Sequence, residues 1–237
     1  PSTVSHIGNG AFNPSSLEEI ILDENNPYFA IFDGILYTAD FTELVKIPAS
    51  KQITTLRPHE NTKKIRNYSC EFQKYLQTVY FNDGLESVGQ QSFDDCPQLK
   101  DVYINDMCNL SSWATFRGSP NLVFHINNTN KNYKIIDNAL YSFSLSSIYA
   151  SGKQDDGILN IADGTRYIYC ADNKTIDTIV IPTSVKQING SSVNKSLKNI
   201  YYKGSEEQYN NSILYVNTGS GTIYQILEKV TFSYNYQ

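Results

Sequence analysis

The chain has 237 residues, of which 40% are hydrophobic and 18% are charged. This composition allows one large domain or two small ones with a sizeable core, and it argues against disorder. The net charge of −5, with Lys and Arg scattered singly, argues against a nucleic-acid partner, which needs a basic stripe. No apolar run is long enough to predict a membrane-spanning helix. Because the chain begins inside the repeat described next, we expect it to be a fragment or a mature segment whose targeting signals lie elsewhere or were removed.

One spacing of apolar residues recurs from the start of the chain to residue 202. The copy at residues 88–104, VGQQSFDDCPQLKDVYI, fits the form I-G-x-x-[AS]-F-x-x-C-x-x-L-x-x-[IV]-x-I with Val88 in place of the first Ile. The last apolar positions alternate, which is the period of a β-strand. The earlier ones recur every three or four residues, which suits an irregular or partly helical return path. Each copy is therefore predicted to form one turn of a coil.

A single coil buries too few side chains to offset the conformational entropy of its backbone, so the coils must stack. Each coil repeats the same path, and consecutive strands must therefore run parallel. The sequence predicts a right-handed solenoid with a parallel sheet on one face.

A larger duplication lies on top of the repeat, since residues 33–37 match residues 137–141 at an offset of 104. We interpret residues 1–104 and 105–204 as two super-units of one solenoid spanning residues 1–204. Each super-unit contains an insertion that is predicted to be a β-hairpin. In the first, strands at about 34–38 and 43–47 flank a polar break, and each hairpin is expected to add a strand to the main sheet.

Residues 205–237 are predicted to form a C-terminal cap. Ser205 and Gln208 fit a capping box, so a short helix should extend to about Ile213. Val230, Phe232 and Tyr234 then alternate as a final strand, which would cover the open end of the solenoid.

The repeat resembles the BspA-type leucine-rich repeats of bacterial surface proteins. The insertion FDGILYTADFTELVKIP at residues 32–48 is similar to the hairpin of that family, and NIYYKGSEEQY at residues 199–209 is similar to its exit from the last coil. The resemblance implies a leucine-rich-repeat solenoid that is mostly β, located outside a bacterial cell or on its surface, with a role in adhesion.

No residue pattern predicts catalysis, a metal site or a cofactor. The three His residues lack metal-ligand spacing, and the carboxylate pairs are adjacent in sequence instead of converging across a cleft. Cys70, Cys96 and Cys170 recur at coil positions, which favours core packing over a reactive thiol. The stretch at residues 218–222 lacks the Lys of a phosphate loop and is interpreted as a turn.

The outward position of the repeated strand is the candidate site. In chain order it holds Ile21, Lys46, Tyr80, Tyr103, His125, Ala150, Val180 and Tyr201. Stacking would bring these residues into one column at a spacing of about 4.8 Å. Cross-strand stacking that stabilises the sheet and a binding face both remain open. The candidate binding residues are Tyr80, Tyr103, His125, Tyr201, Thr78 and Asp101.

Three functions are compatible with this sequence. The first is a non-enzymatic interaction module that binds a protein along its sheet, such as a host extracellular-matrix or surface protein. The second is a carbohydrate-binding module that uses the same tyrosines as stacking platforms. The third is an enzyme, which would require titratable groups that converge in a cleft.

Overall fold

A computed structural model describes residues 1–13, 16–110, 114–169, 173–189, 195–216 and 229–237, with the backbone alone at residues 214–216. The chain divides into two compact units. The first comprises Pro1–Asn121 and His125–Asn132, and the second comprises Leu122–Phe124 and Tyr133–Gln237. In the described part of the chain, no helix is long and apolar enough to cross a membrane.

The first unit is built from short strands. In chain order they are β1 (Phe29–Phe32), β2 (Ile35–Thr38), β3 (Glu43–Lys46), β4 (Thr55–Leu56), β5 (Lys64–Ile65), β6 (Thr78–Tyr80), β7 (Ser87–Val88), β8 (Asp101–Ile104), β9 (Asn109–Leu110) and β10 (Val123–Ile126). Of β10, only His125 and Ile126 belong to this unit.

These strands form two sheets, because each coil contributes one strand to each. The hairpin sheet has the order β1-β2-β3-β5-β7-β9, and the repeat sheet has the order β10-β8-β6-β4. Neighbouring coils pair in parallel, with Val79 opposite Val102 and Ile65 opposite Val88. The predicted parallel stacking is confirmed. The return path was expected to be irregular or partly helical. It instead carries the strands of the second parallel sheet.

The second unit repeats this plan. Its strands are β11 (Tyr133–Ile136), β12 (Ala139–Ser142), β13 (Ser147–Ser151), β14 (Ile158–Asn160), β15 (Tyr167–Ile168), β16 (Thr178–Ile181), β17 (Gln187–Asn189), β18 (Asn199–Tyr202), β19 (Leu214–Val216) and β20 (Thr231–Ser233). One sheet has the order β11-β12-β13-β15-β17-β19 and the other β14-β16-β18-β20. Inward aliphatic side chains such as Ile148, Leu159 and Ile176 are fully buried between them.

The two insertions have matching registers, with Phe32 opposite Ile35 in the first and Ile136 opposite Ala139 in the second. Both predicted hairpin strands are present as β2 and β3, and β1 extends the hairpin by a strand that the sequence did not predict. The expected pairing with the main sheet is wrong. Strand β3 instead pairs in parallel with β5, in the hairpin sheet.

The predicted helix is present as α1 (Glu206–Ser212). Its capping box is complete, because Ser205 Oγ accepts from Gln208 N at 3.2 Å and Gln208 Oε1 accepts from Ser205 N at 2.9 Å. Tyr209 turns into the core against Tyr202, and β20 pairs in parallel with β18. That residues 205–237 act as a cap, and that the super-units divide at residue 104, stay predictions.

Candidate binding face

A column of stacked side chains crosses the exposed side of the repeat sheet in the first unit. The rings of Tyr80 and Tyr103 stack with centroids 4.4 Å apart and planes inclined by 10°. The imidazole of His125 stacks on Tyr103 at 4.2 Å and 11°. At the other end, the guanidinium carbon of Arg57 lies 3.6 Å from the Tyr80 ring centroid. We call these four residues the stacked column.

The column follows from the register of the sheet. Tyr80 is directly opposite Tyr103, and parallel strands lie close to the spacing of stacked rings. Arg57 follows strand β4, one position beyond the pair formed by Leu56 and Val79, and so it falls in line with Tyr80. The repeat spacing correctly predicted that Tyr80, Tyr103 and His125 lie together, but it did not include Arg57. That residue could have been found by continuing the register from Val79 to the preceding strand.

A polar row runs beside the column, two residues earlier in each strand. Thr55, Thr78 and Asp101 lie opposite one another in neighbouring strands. His125 Nε2 and Asp101 Oδ1 are 2.8 Å apart, so this hydrogen bond ties the column to the row. The structure therefore brings five of the six predicted site residues together.

Stacking determines which atoms the column can offer to a ligand. Both faces of the Tyr80 and Tyr103 rings are covered by their neighbours in the column, so ring edges and hydroxyl groups face the solvent. Burial, together with the nearby Tyr80 and Asp101, raises the pKa of Tyr103. Its hydroxyl therefore remains a hydrogen-bond donor at neutral pH. In the described part of the chain, the Arg57 guanidinium lies over the Tyr80 ring and forms no hydrogen bond or ion pair.

The sixth predicted residue, Tyr201, lies in the second unit. It stacks on Tyr236 at 4.6 Å and forms a separate aromatic pair on strand β18.

The long single column predicted from the sequence is wrong at three other positions. Lys46 and Ala150 are buried in the hairpin sheets of their units, and Val180 is buried in its own sheet. For Lys46 and Ala150 the cause is the insertion, which diverts one coil of each unit from one sheet to the other. Ile21 is exposed, as expected, but lies outside any strand.

A shallow cavity opens at each end of the stacked column. One has a volume of about 300 Å³ beside Tyr103 and His125, with Asp83 and Asn127 in its wall. The other has a volume of about 630 Å³ and lies beside Arg57. It is lined by the charged residues Asp33, Lys51 and Arg57 and by the aliphatic residues Ile35, Ile53 and Leu56. Partner side chains could enter both.

The cysteines behave as core residues, as predicted for Cys70 and Cys96. Both are completely buried and reduced, and burial raises the pKa of Cys70 to about 12. Among the described residues, no group of three or more His, Cys, Asp or Glu side chains could hold a metal ion. Cys170 and the predicted turn at residues 218–222 lie outside the described residues.

The family of the repeats follows from their match to a known sequence model. The model of the BspA type leucine rich repeat region matches residues 46–156 in six copies. These residues belong to the BspA-type leucine-rich-repeat family. The resemblance seen in the sequence is thereby confirmed, and so is the predicted fold, a mostly β solenoid with parallel sheets.

Three solved structures are similar to this chain. The pneumococcal vaccine antigen PcpA shares 19% identity over 100% of this chain and 54% of its own, with a TM-score of 0.52. A leucine rich cell surface protein from Faecalibacterium prausnitzii A2-165 shares 20% identity over 90% of this chain and 47% of its own, with a TM-score of 0.45. A leucine-rich repeat protein from Eubacterium ventriosum ATCC 27560 shares 18% identity over 84% of this chain and 47% of its own, with a TM-score of 0.46.

At 19% identity the similarity to PcpA shows the fold alone. The chain spans about half the length of each of the three proteins. No curated protein matches this chain.

Proposed function

We propose that this chain is part of a non-enzymatic bacterial surface protein that binds a protein partner through the stacked column and the polar row of its first unit. The observation that carries the proposal is the column itself. Four side chains from four neighbouring strands are fixed against one another before any partner arrives. A surface ordered in advance loses little side-chain entropy on binding, and Tyr and Arg are the residues most enriched at binding hot spots.

The chemistry of the face supports a protein ligand. It presents the cationic Arg57, the hydroxyls of two tyrosines and the carboxylate of Asp101, with a cavity at each end. A mixture of aromatic area, hydrogen-bond donors and charges of both signs is typical of protein interfaces. A host extracellular-matrix or surface protein remains the proposed class of partner.

The proposed location, outside the cell or on its surface, is supported by the BspA-type repeats, which resemble those of bacterial surface proteins. Similarity to a protein named as a vaccine antigen fits the same location.

The geometry does not favour the carbohydrate alternative at this face. A sugar ring stacks on the open face of an aromatic side chain, whereas the faces of Tyr80 and Tyr103 are covered on both sides. We therefore expect a glycan array to give no signal that depends on these two tyrosines.

The proposal is tested by removing the two central rings. The purified chain and a Tyr80→Ser/Tyr103→Ser variant are applied to an array of immobilised extracellular-matrix and host cell-surface proteins. The double variant should bind the proteins recognised by the parent chain at least about tenfold more weakly, a change of about 1.4 kcal/mol. Both rings lie on the solvent side of the sheet, so the variant should keep its circular dichroism spectrum.

The matched control is Tyr167→Ser, which removes a partly exposed tyrosine from strand β15 of the second unit. It should bind as the parent chain does. Equal binding by the double variant, or an array on which the parent chain binds nothing, would contradict the proposal.

A further inference from the structure

A lysine is buried at a position that the repeat pattern assigns to the outward side of the strand. Lys46 lies on β3 with only 3% of its surface exposed. Its Nζ is 2.7 Å from Asn13 Oδ1 and 2.8 Å from the carbonyl oxygen of Tyr68. Burying an ammonium group is costly unless a well-placed anion compensates for it.

The nearest anion compensates poorly. Glu71 is also buried, with 4% exposure, and its Oε1 lies 3.8 Å from Lys46 Nζ, beyond hydrogen-bond distance. Within the described residues this oxygen accepts no hydrogen bond. An unsatisfied carboxylate oxygen in the interior is destabilising, so the arrangement calls for an explanation other than stability.

We propose that Lys46 and Asn13 form an intramolecular isopeptide bond, with Glu71 as the proton carrier. The three groups have the positions that this reaction needs. The amine is hydrogen-bonded to Oδ1, one bond away from Cγ of the Asn13 carboxamide, and a rotation of the carboxamide would turn that carbon toward it. The free oxygen of Glu71 is close enough to the amine to exchange a proton after a small movement.

The local environment shifts both groups toward the neutral forms that react. Burial lowers the pKa of Lys46, although the neighbouring Glu71 opposes this change. Burial also raises the pKa of Glu71 to about 6, where the Lys46 and Arg117 charges oppose the shift and those of Asp94 and Asp95 add to it. Transfer of a proton from the ammonium to the carboxylate removes both charges from the interior.

The reaction balances without any further reactant. After Glu71 has taken a proton from the ammonium, the amine attacks Cγ of Asn13, and a C–N bond forms while the carbonyl becomes an oxyanion. Glu71 gives its proton to Nδ2 and takes another from Nζ. The bond between Cγ and Nδ2 then breaks, ammonia leaves, and the carbonyl re-forms as a secondary amide. The Tyr68 carbonyl holds an N–H of the amine throughout, which orients the lone pair.

The lysine is not repeated in the second hairpin. The position equivalent to Lys46 in the second hairpin is Ala150, since Leu36 pairs with Lys46 and Leu140 pairs with Ala150. A charge needed only for the fold would be expected in both hairpins. The bond would join the N-terminal segment to the hairpin and close a loop between residues 13 and 46.

Intact-mass spectrometry of the folded chain tests the proposal. The chain should weigh about 17 Da less than its sequence predicts, which corresponds to the loss of one ammonia. Tandem spectra of a tryptic digest should contain a branched peptide that joins Asn13 to Lys46. A folded chain at its full sequence mass, or a digest without the branched peptide, overturns the proposal.

Single variants separate this reaction from other losses of ammonia. Lys46→Met, Asn13→Ala and Glu71→Gln should each have the full mass expected for their sequences, whereas the exposed control Lys64→Met should still lose ammonia. Asn13 precedes Pro14, which has no N–H and so cannot support succinimide formation at this asparagine. Persistence of the loss in Lys46→Met or Glu71→Gln would contradict the assigned roles. Where a variant fails to fold, the digest of the parent chain decides.

Discussion

At the scale of single residues, a steric constraint explains why the repeat has glycine in its I-G pair. A Cβ added at Gly89 would overlap Asn67 Oδ1 and lie 2.5 Å from the backbone nitrogen of Asn67, in the preceding coil. That oxygen accepts a hydrogen bond from Gln90 N at 2.8 Å. Glycine therefore lets one coil approach the next closely enough to be bridged. At Gly8, which holds the same position in the first copy, an added Cβ would meet nothing within 4 Å.

This difference predicts unequal effects of the same substitution. Gly89→Ala should lower the free energy of unfolding by about 1–3 kcal/mol, because the coil must shift to admit the methyl group. Gly8→Ala should change it by less than about 0.5 kcal/mol. Urea denaturation of the two variants and the parent chain measures both values. Equal effects would show that the glycine is required for a reason other than contact between coils.

At the scale of elements, the turns of the two hairpins have the same backbone conformation but are stabilised by different polar groups. In the first, the Asp40 carboxylate accepts from the hydroxyls of Thr38 and Thr42 and from the Thr42 amide. In the second, the hydroxyls of Ser142, Ser144 and Ser146 lie 2.9–3.3 Å from one another. The residue that follows the central one, Phe41 or Leu145, has a positive φ in both turns. A short polar side chain that can bridge the turn is therefore the common requirement.

The turn predicts a pH-dependent effect of Asp40→Ala. Hydrogen bonds from Thr38 and Thr42 lower the pKa of Asp40 below its ordinary value of 3.8. The folded state thus favours the carboxylate, and its stabilising effect is present above pH 3.8 and lost as the pH falls through the lowered pKa. Asp40→Ala should cost about 1 kcal/mol at pH 6, by analogy with the loss of a helix cap, and less at low pH.

Thermal unfolding at pH 6 and at a pH below the lowered pKa of Asp40 measures this effect. Asp40→Ser, which imitates the second hairpin, should keep more of the stability at pH 6 than Asp40→Ala does. A cost that is the same at both pH values would contradict the role of the carboxylate.

The strands show which parts of the fold could be predicted from the sequence and which could not. The repeat strands β6 and β8 have several alternating residues and were placed correctly. Strands such as β5 and β7 contain two residues each, one inward and one outward, so they show no period that could be recognised. The second sheet was missed for this reason. The sheet change of β3 was missed because Val45–Ile47 has the same apolar pattern as the repeat strands.

At the scale of the whole molecule, stacking places the described thiols beyond the reach of solvent. Burial raises the pKa of Cys108 as well as that of Cys70 to about 12, and that of Cys96 higher. In a Cys170→Ser background, a thiol reagent at pH 8 should label none of the three cysteines until the chain unfolds, and all three in denaturant. Rapid labelling of the native chain would show that its coils open locally.

Strands β3 and β13 belong to the hairpin sheets, and this assignment limits the width of each exposed repeat sheet. Because each of the two hairpins diverts one coil, the repeat sheet of the first unit and its counterpart in the second each contain four strands among the described residues. Four strands span three spacings, or about 14 Å across the sheet. A ligand on one such sheet can therefore engage a length similar to four or five residues of extended peptide. A longer partner would need a second, separate binding site. We therefore expect its affinity to increase in steps with the number of exposed four-stranded sheets that it contacts.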